Sequence, residues 1–195
     1  QLDLKDRKEY RRLVGRLQWI TPIRPDLCYS VKELARALAS PAIEDLAKLK
    51  QGMRSARGTL GYKFLIRPQV NSAHSTSMDI EVFCDSDWAG CSKTRRSTSG
   101  FLMLLNGSPV HFGSRTQSVH AMSSGEAELY AIGTASNEAL HIKNFLNESG
   151  IAKNIKITIN TDSSAGKSMA CRFGISKKTR HVQLKFLRSE EHTSE

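Results

Sequence analysis

The sequence predicts an α/β fold: a mixed sheet built from an antiparallel three-strand meander and one later parallel strand, with flanking helices and a small helical segment in front. Three observations carry this expectation. Asn106-Gly107 stands between two apolar runs, and a two-residue hairpin needs positive φ at both central positions, which Asn and Gly tolerate. From Ser123 to Asn147 the apolar spacing becomes helical. Beyond that, Ile155, Ile157 and Ile159 alternate with Lys156, Thr158 and Asn160, as on a strand whose two faces differ. A strand, a long helix and another strand form a crossover, so the last strand is expected to lie parallel to one of the first three.

The totals agree with a folded chain. At 195 residues, 39% hydrophobic and 25% charged, it can bury a core and is not of disordered composition. No apolar run approaches the roughly 18 residues of a membrane span, and no charged-then-apolar leader is present, so a soluble, intracellular, unsecreted protein is expected. Cys28, Cys84, Cys91 and Cys171 show neither CxxC pairing nor a His at zinc-finger spacing, which predicts free thiols. The formal charge of +10 points to a polyanionic partner. Its distribution is uneven: residues 1–78 hold 15 Lys and Arg against 7 Asp and Glu.

Taken in order, Tyr10, Leu13, Val14 and Leu17 recur at helical spacing within residues 5–20, and Thr21-Pro22-Ile23-Arg24-Pro25 ends that helix. A second helix is expected from Asp26 through Val31, Leu34, Ala35 and Leu38 to Ser40-Pro41. A third carries Leu46, Leu49 and Met53, with Lys48, Lys50, Arg54 and Arg57 toward its end. Cations there complement the helix dipole and are equally placed to meet phosphates. Gly58 to Ile66 reads as a turn leading into a strand, and the polar stretch from Pro68 to Ser77 as a boundary. Ile80, Val82 and Cys84 then alternate with Glu81, Phe83 and Asp85 on a first strand that runs into Asp85-Ser86-Asp87. Ser97–Leu105 and Pro109–Gly113 make the other two strands of the meander. In the long helix Leu129, Ile132, Ala135, Ala139 and Leu140 offer a buried stripe. Residues 163–188 read as one or two short helices broken at Gly174, and the last residues as a frayed tail.

Three carboxylates stand out. Asp85 closes the first strand, where α/β sheets build their sites, although Asp-Ser-Asp also caps turns. Ser123 and Glu126 fit a capping box, which gives Glu126 a structural task. Glu128 lies among Ala127, Leu129 and Ala131, and either faces solvent or a site. Asp162 follows the last strand and precedes Ser163-Ser164, a position that suits an N-cap as well as a ligand. If the first and last strands are parallel neighbours, both aspartates arrive at one edge and the helix presents Glu128 over it. Three such groups repel one another unless cations sit among them, and oxygen-only ligands favour Mg²⁺ or Mn²⁺. A pair of hard cations can activate a water and stabilise the leaving oxygen of a phosphodiester.

These residues, with Cys84-Asp85-Ser86-Asp87-Trp88-Ala89-Gly90, Arg96-Ser97-Thr98-Ser99-Gly100, Ser123-Ser124-Gly125-Glu126-Ala127-Glu128 and Lys178-Thr179-Arg180-His181-Val182, resemble the ribonuclease H domain of copia-type long-terminal-repeat retrotransposon polyproteins. Upstream, Tyr10-Arg11-Arg12-Leu13-Val14-Gly15, Arg24-Pro25-Asp26-Leu27 and Arg57-Gly58-Thr59-Leu60-Gly61-Tyr62 resemble the segment joining the reverse transcriptase to that domain. The resemblance implies residues 1–77 as a helical connection segment and 78–195 as a ribonuclease H-like domain. It implies cleavage of the RNA strand of RNA/DNA hybrids with two Mg²⁺ ions held by Asp85, Glu128 and Asp162. Phosphates would be met by Arg54, Arg57, Arg95, Arg96, Lys177, Lys178 and Arg180. The reverse transcriptase of the same polyprotein is the implied partner, with no membrane, in the cytoplasm, a virus-like particle or the nucleus. The family's fourth carboxylate follows a fifth strand, and the chain stops at Glu195 short of it, so a C-terminally truncated domain is expected. A non-catalytic nucleic-acid-binding remnant or connection domain is the alternative.

Overall fold

The computed structural model describes residues 2–67 and 77–171. It divides into two compact units, Gln1–Leu65 and Ile66–Glu195.

The first unit is helical, with α1 (Leu4–Ile20), α2 (Cys28–Ala35) and α3 (Ile43–Gly58). Asp3 caps α1 by accepting from the Asp6 N–H at 2.7 Å, and Asp45 reaches back from the first turn of α3 to the Ala42 N–H at 2.9 Å. Tyr10, Val14 and Leu17 of α1 meet Leu27, Val31, Leu34 and Leu49 in one core. The Tyr10 hydroxyl, wholly buried there, donates to the Leu34 carbonyl at 2.8 Å, and burial with Asp45 nearby pushes its pKa up to about 12.

The second helix is shorter than its apolar spacing predicts. Pro25–Leu27 form a 3₁₀ turn before it, and after Ala35 the chain tightens to i→i+3 bonds from Ala37 and Leu38. The freed carbonyls of Leu38 and Ala39 are taken by the Arg11 guanidinium at 2.8 and 3.1 Å. The strand expected before Ile66 does not form: Tyr62–Arg67 lies outside any helix or strand. Instead, the Ser108 hydroxyl binds both backbone groups of Arg67, accepting from its N–H at 3.0 Å and donating to its carbonyl at 2.7 Å. One side chain thus satisfies the groups a ladder would have used. Residues 68–76 lie outside the described residues.

Among the described residues, the second unit is a four-stranded mixed sheet with helices. Its strands β1 (Ser77–Asp87), β2 (Thr98–Leu105), β3 (Ser108–Thr116) and β4 (Asn154–Asn160) lie in the order β3-β2-β1-β4. β1 and β2 are antiparallel, as are β2 and β3, while β4 runs parallel to β1 with Val82 opposite Ile159. The hairpin turns at Asn106 (φ 47°) and Gly107 (φ 78°), the positive pair its sequence requires. β3 runs three residues past the expected Gly113, to Thr116. It crosses a bulge at Val110, between Met103 opposite His111 and Leu104 opposite Pro109. Gly113 is required where it stands, since a Cβ there would lie 2.9 Å from the Phe101 ring.

The long crossover helix α4 (Ser124–Glu148) packs on one face of the sheet. Ile80, Val82, Cys84, Phe101 and Met103 meet Ile132, Ala135, Ala139 and Leu146 of α4 in the core. The stripe ends on Leu146, while Leu140 is only partly buried. α5 (Ser164–Ala170) closes the described chain, and the expected break at Gly174 and the tail lie outside it. All four cysteines are free thiols, Cys84 the buried one. No helix among the described residues is long and apolar enough to cross a membrane.

Met103 is fully buried at the centre of this core. Met103→Ala is expected to cost about 2–5 kcal/mol, read as a lower urea midpoint with an unchanged denaturant slope.

Candidate functional site

Asp85 lies near the carboxyl end of β1, and Asp162 two residues beyond the end of the parallel neighbour β4. Parallel pairing brings both to the same edge of the sheet. Glu128 comes from α4, whose start is set by Ser123: its hydroxyl accepts from the Glu126 N–H at 3.2 Å. Glu126 departs from the simple capping box. Its carboxylate accepts from the Met122 N–H at 2.9 Å and from the Tyr130 hydroxyl at 2.7 Å, so it points away from the edge into a structural network. Burial, then this bond to Glu126, pushes the Tyr130 pKa up. Asp162 is not the cap of α5; that task falls to Ser163, whose hydroxyl accepts from the Gly166 N–H at 3.0 Å.

Asp85, Glu128 and Asp162 therefore converge, each offering one carboxylate oxygen within 4.8 Å of the others. The two aspartates are exposed, whereas Glu128 is 8% exposed. Glu128 is held close by the helix that follows. A Cβ at Gly166 would lie 2.7 Å from the Glu128 Cβ, so only glycine lets α5 approach this near. One Glu128 oxygen accepts from the Ser86 hydroxyl at 2.8 Å, while the other, Oε2, is buried and has no hydrogen-bond partner among the described residues. Burial first, and then the charges of Asp85 and Asp162, push the Glu128 pKa up against the lowering effect of Ser86. The neighbouring Cys84 thiol is pushed up to about 11 by burial and by the same three carboxylates, which leaves it neutral. An orphaned buried carboxylate oxygen within an all-oxygen cluster fits a hard divalent cation, which would satisfy the acceptor and cancel the repulsion.

The cationic candidates fall in three places. Arg54 and Arg57 are exposed on α3 of the first unit. Arg95 and Arg96 are exposed on the loop between β1 and β2, at the carboxyl end of β1. Lys177, Lys178 and Arg180 lie outside the described residues. Three residues the sequence reading missed belong to the surroundings of the carboxylates. Ser86 orients Glu128, and its place between two aspartates was the available signal. Gln117, buried, donates from Nε2 to the Ser99 hydroxyl and the Ala127 carbonyl, both at 2.9 Å, and so ties β2 to the turn of α4 that carries Glu128. Trp88 donates its indole N–H to the Ala121 carbonyl at 3.1 Å. No sequence pattern marks the last two, because both bonds span long stretches of chain.

A mixed α/β domain with three carboxylates at one strand edge is the class that fold and site define. Comparison with known proteins supplies the relatives. The chain is 33% identical to an uncharacterized mitochondrial protein of Arabidopsis thaliana over 68% of its own length and 53% of that protein's. It is 32% identical to the retrovirus-related Pol polyprotein from transposon RE1 of the same plant, over 76% of the chain and 10% of the polyprotein. It is 32% identical to a secreted RxLR effector protein of Plasmopara viticola, over 67% of the chain and 89% of that protein. The chain thus spans about half of the first relative and a tenth of the polyprotein. Its homologues include retrovirus-related Pol polyproteins from transposons, which support a retroelement polyprotein segment. No family model matches the chain. No solved structure matches it either.

Because the folded-state pKa of Glu128 is raised, its contribution to stability is fully present below the ordinary value of 4.5 and is lost as pH rises through the raised value. In divalent-free buffer Glu128→Gln is therefore expected to melt at a higher temperature than the parent at pH 7. The gain should vanish as pH falls below 4.5, as followed by thermal unfolding across pH.

Proposed function

We propose that this chain is the ribonuclease H portion of a retrotransposon Pol polyprotein, hydrolysing the RNA strand of RNA/DNA hybrids. The observation that carries the reading is the convergence of Asp85, Glu128 and Asp162 within 4.8 Å at the edge shared by two parallel strands. The four-stranded mixed sheet with a crossover helix is compatible with a ribonuclease H-like fold. Homology to Pol polyproteins adds a setting in which hybrids would arise, since such homologues fit a reverse transcriptase domain in the same chain.

Asp85, Asp162 and Glu128 would hold the cations, two Mg²⁺ with Mn²⁺ as a substitute. The ions supply activation of a water and stabilisation of the leaving oxygen. The exposed aspartates open the cluster to a phosphodiester, while Glu128 stays behind them, oriented by Ser86. Arg95 and Arg96 stand at the carboxyl end of β1 to meet the substrate backbone, and residues 1–77 would serve as the connection segment, with Arg54 and Arg57 meeting further phosphates. A non-catalytic binding module is the second reading, favoured by the 15 cations against 7 acids in residues 1–78.

With a labelled hybrid and Mg²⁺, cleavage is expected from the parent chain, and none above background from Asp85→Asn combined with Asp162→Asn. Cleavage that survives the double substitution rejects the site. Hybrid binding without cleavage in the parent, even with excess Mn²⁺, selects the second reading. The same ions should raise the melting temperature of the parent more than that of the double variant.

A further inference from the structure

Trp88 is half-exposed, at 49%, yet its orientation is set: the indole N–H donates to the Ala121 carbonyl across 33 residues of chain. A tryptophan held by its polar end with its ring left open to solvent is an unusual use of the largest apolar side chain. Its anchor is informative. Ala121 precedes Met122, whose N–H is bound by Glu126 in the first turn of α4, so the ring is tied to the start of the helix that carries Glu128. Met122 is itself 77% exposed.

The loop that Trp88 begins is bonded to itself. The Ala89 N–H reaches the Ser97 hydroxyl at 3.1 Å, the Cys91 N–H the Arg96 carbonyl at 3.2 Å, and the Arg95 N–H the Cys91 carbonyl at 2.7 Å. It exposes Lys93, Arg95 and Arg96. Trp88 follows Asp85 by three residues, at most about 10 Å of chain, and a strand of nucleic acid rises about 3.4 Å per nucleotide. The backbone of Trp88 therefore stands within about three nucleotides' rise of the backbone of Asp85.

We propose that Trp88 is a substrate-positioning residue whose indole face packs on the ribose and base edge of a bound RNA/DNA hybrid, in its minor groove, while Arg95 and Arg96 hold the adjoining phosphates. This rests on the nuclease reading for its choice of substrate. The minor groove of an A-form helix is wide and shallow and displays the 2′-hydroxyls, so a flat ring on a rigid mount can lie in it. The narrower minor groove of a DNA duplex, about 6 Å wide, admits it poorly. Trp88 thus contributes to telling a hybrid from DNA without taking part in bond cleavage.

The chain holds two tryptophans, Trp19 and Trp88, so Trp19→Phe leaves Trp88 as the sole indole emitter. In that background, with Asp85→Asn to stop turnover, a short blunt RNA/DNA hybrid is expected to change the emission saturably, and the same sequence as a DNA duplex to change it much less. In the otherwise intact chain, Trp88→Ala should raise KM for the hybrid roughly 5- to 100-fold, the scale of a lost aromatic contact to a nucleotide, with kcat nearly unchanged. Trp88→Phe, which keeps a ring, should recover most of it. Unchanged emission while a labelled hybrid binds by anisotropy, or equal changes with hybrid and DNA duplex, overturns the proposal and leaves the nuclease reading standing. A saturable, hybrid-selective emission change in a chain that never cleaves supports the Trp88 contact and rejects the nuclease reading instead.

Discussion

The parallel pairing of β1 with β4 is the constraint on which the second unit depends. Opposite ladders would send the two strands out at opposite edges of the sheet, and Asp85 and Asp162 would be separated by the length of a strand. Parallel pairing requires a crossover, and the 25-residue α4 provides it while burying Ile132, Ala135, Ala139 and Leu146 on the sheet. Alanines at two of these positions let the helix axis lie close to Val82 and Met103. The packing that stabilises the unit is thus also what lowers Glu128 toward the two aspartates.

That convergence opposes folding on electrostatic grounds. A buried carboxylate beside two others is costly while ionised, and an orphaned oxygen adds the cost of an unmade hydrogen bond. The surroundings hold the cluster in place without neutralising it: Ser86 binds one Glu128 oxygen, Gly166 allows α5 to close in, and Gln117 joins β2 to the carbonyl just before Glu128. Glu126, two residues away, shows the contrasting case, a carboxylate fully engaged by a backbone N–H and a tyrosine hydroxyl. A cluster kept tight, open on one side and left with an acceptor to fill fits a hard cation, in line with the proposed function.

The homologues and the geometry bear on different questions. Homology to transposon Pol polyproteins supports a retroelement polyprotein segment. It does not separate one polyprotein activity from another. The proposed nuclease reading rests on the carboxylate edge, since an all-oxygen cluster beside a cationic loop would suit a phosphodiester held by hard ions.

Much of the second unit was legible in the chain because its signals are local. Alternation in Ile80–Cys84 and Ile155–Ile159, the Asn106-Gly107 turn and the period change at Ser123 each act within a few residues, and all four appear at their places. Asp85, Glu128 and Asp162 could be picked out singly for the same reason. What local signals did not carry was partnership. Which strand β4 would adjoin, and that Ser86 and Trp88 would frame the edge, are settled by register and by bonds spanning tens of residues, while the partners of Glu126 and Gln117 are set by how the segment before α4 folds onto the helix. The expected strand before Ile66 failed for that reason too, since a strand exists only where a ladder accepts it, and the Ser108 hydroxyl satisfied Arg67 instead. The sequence by itself determined the order and character of the elements and the identity of the three carboxylates; only the tertiary structure decided their company, because hydrogen-bond registers and helix packing are properties of distant segments brought together.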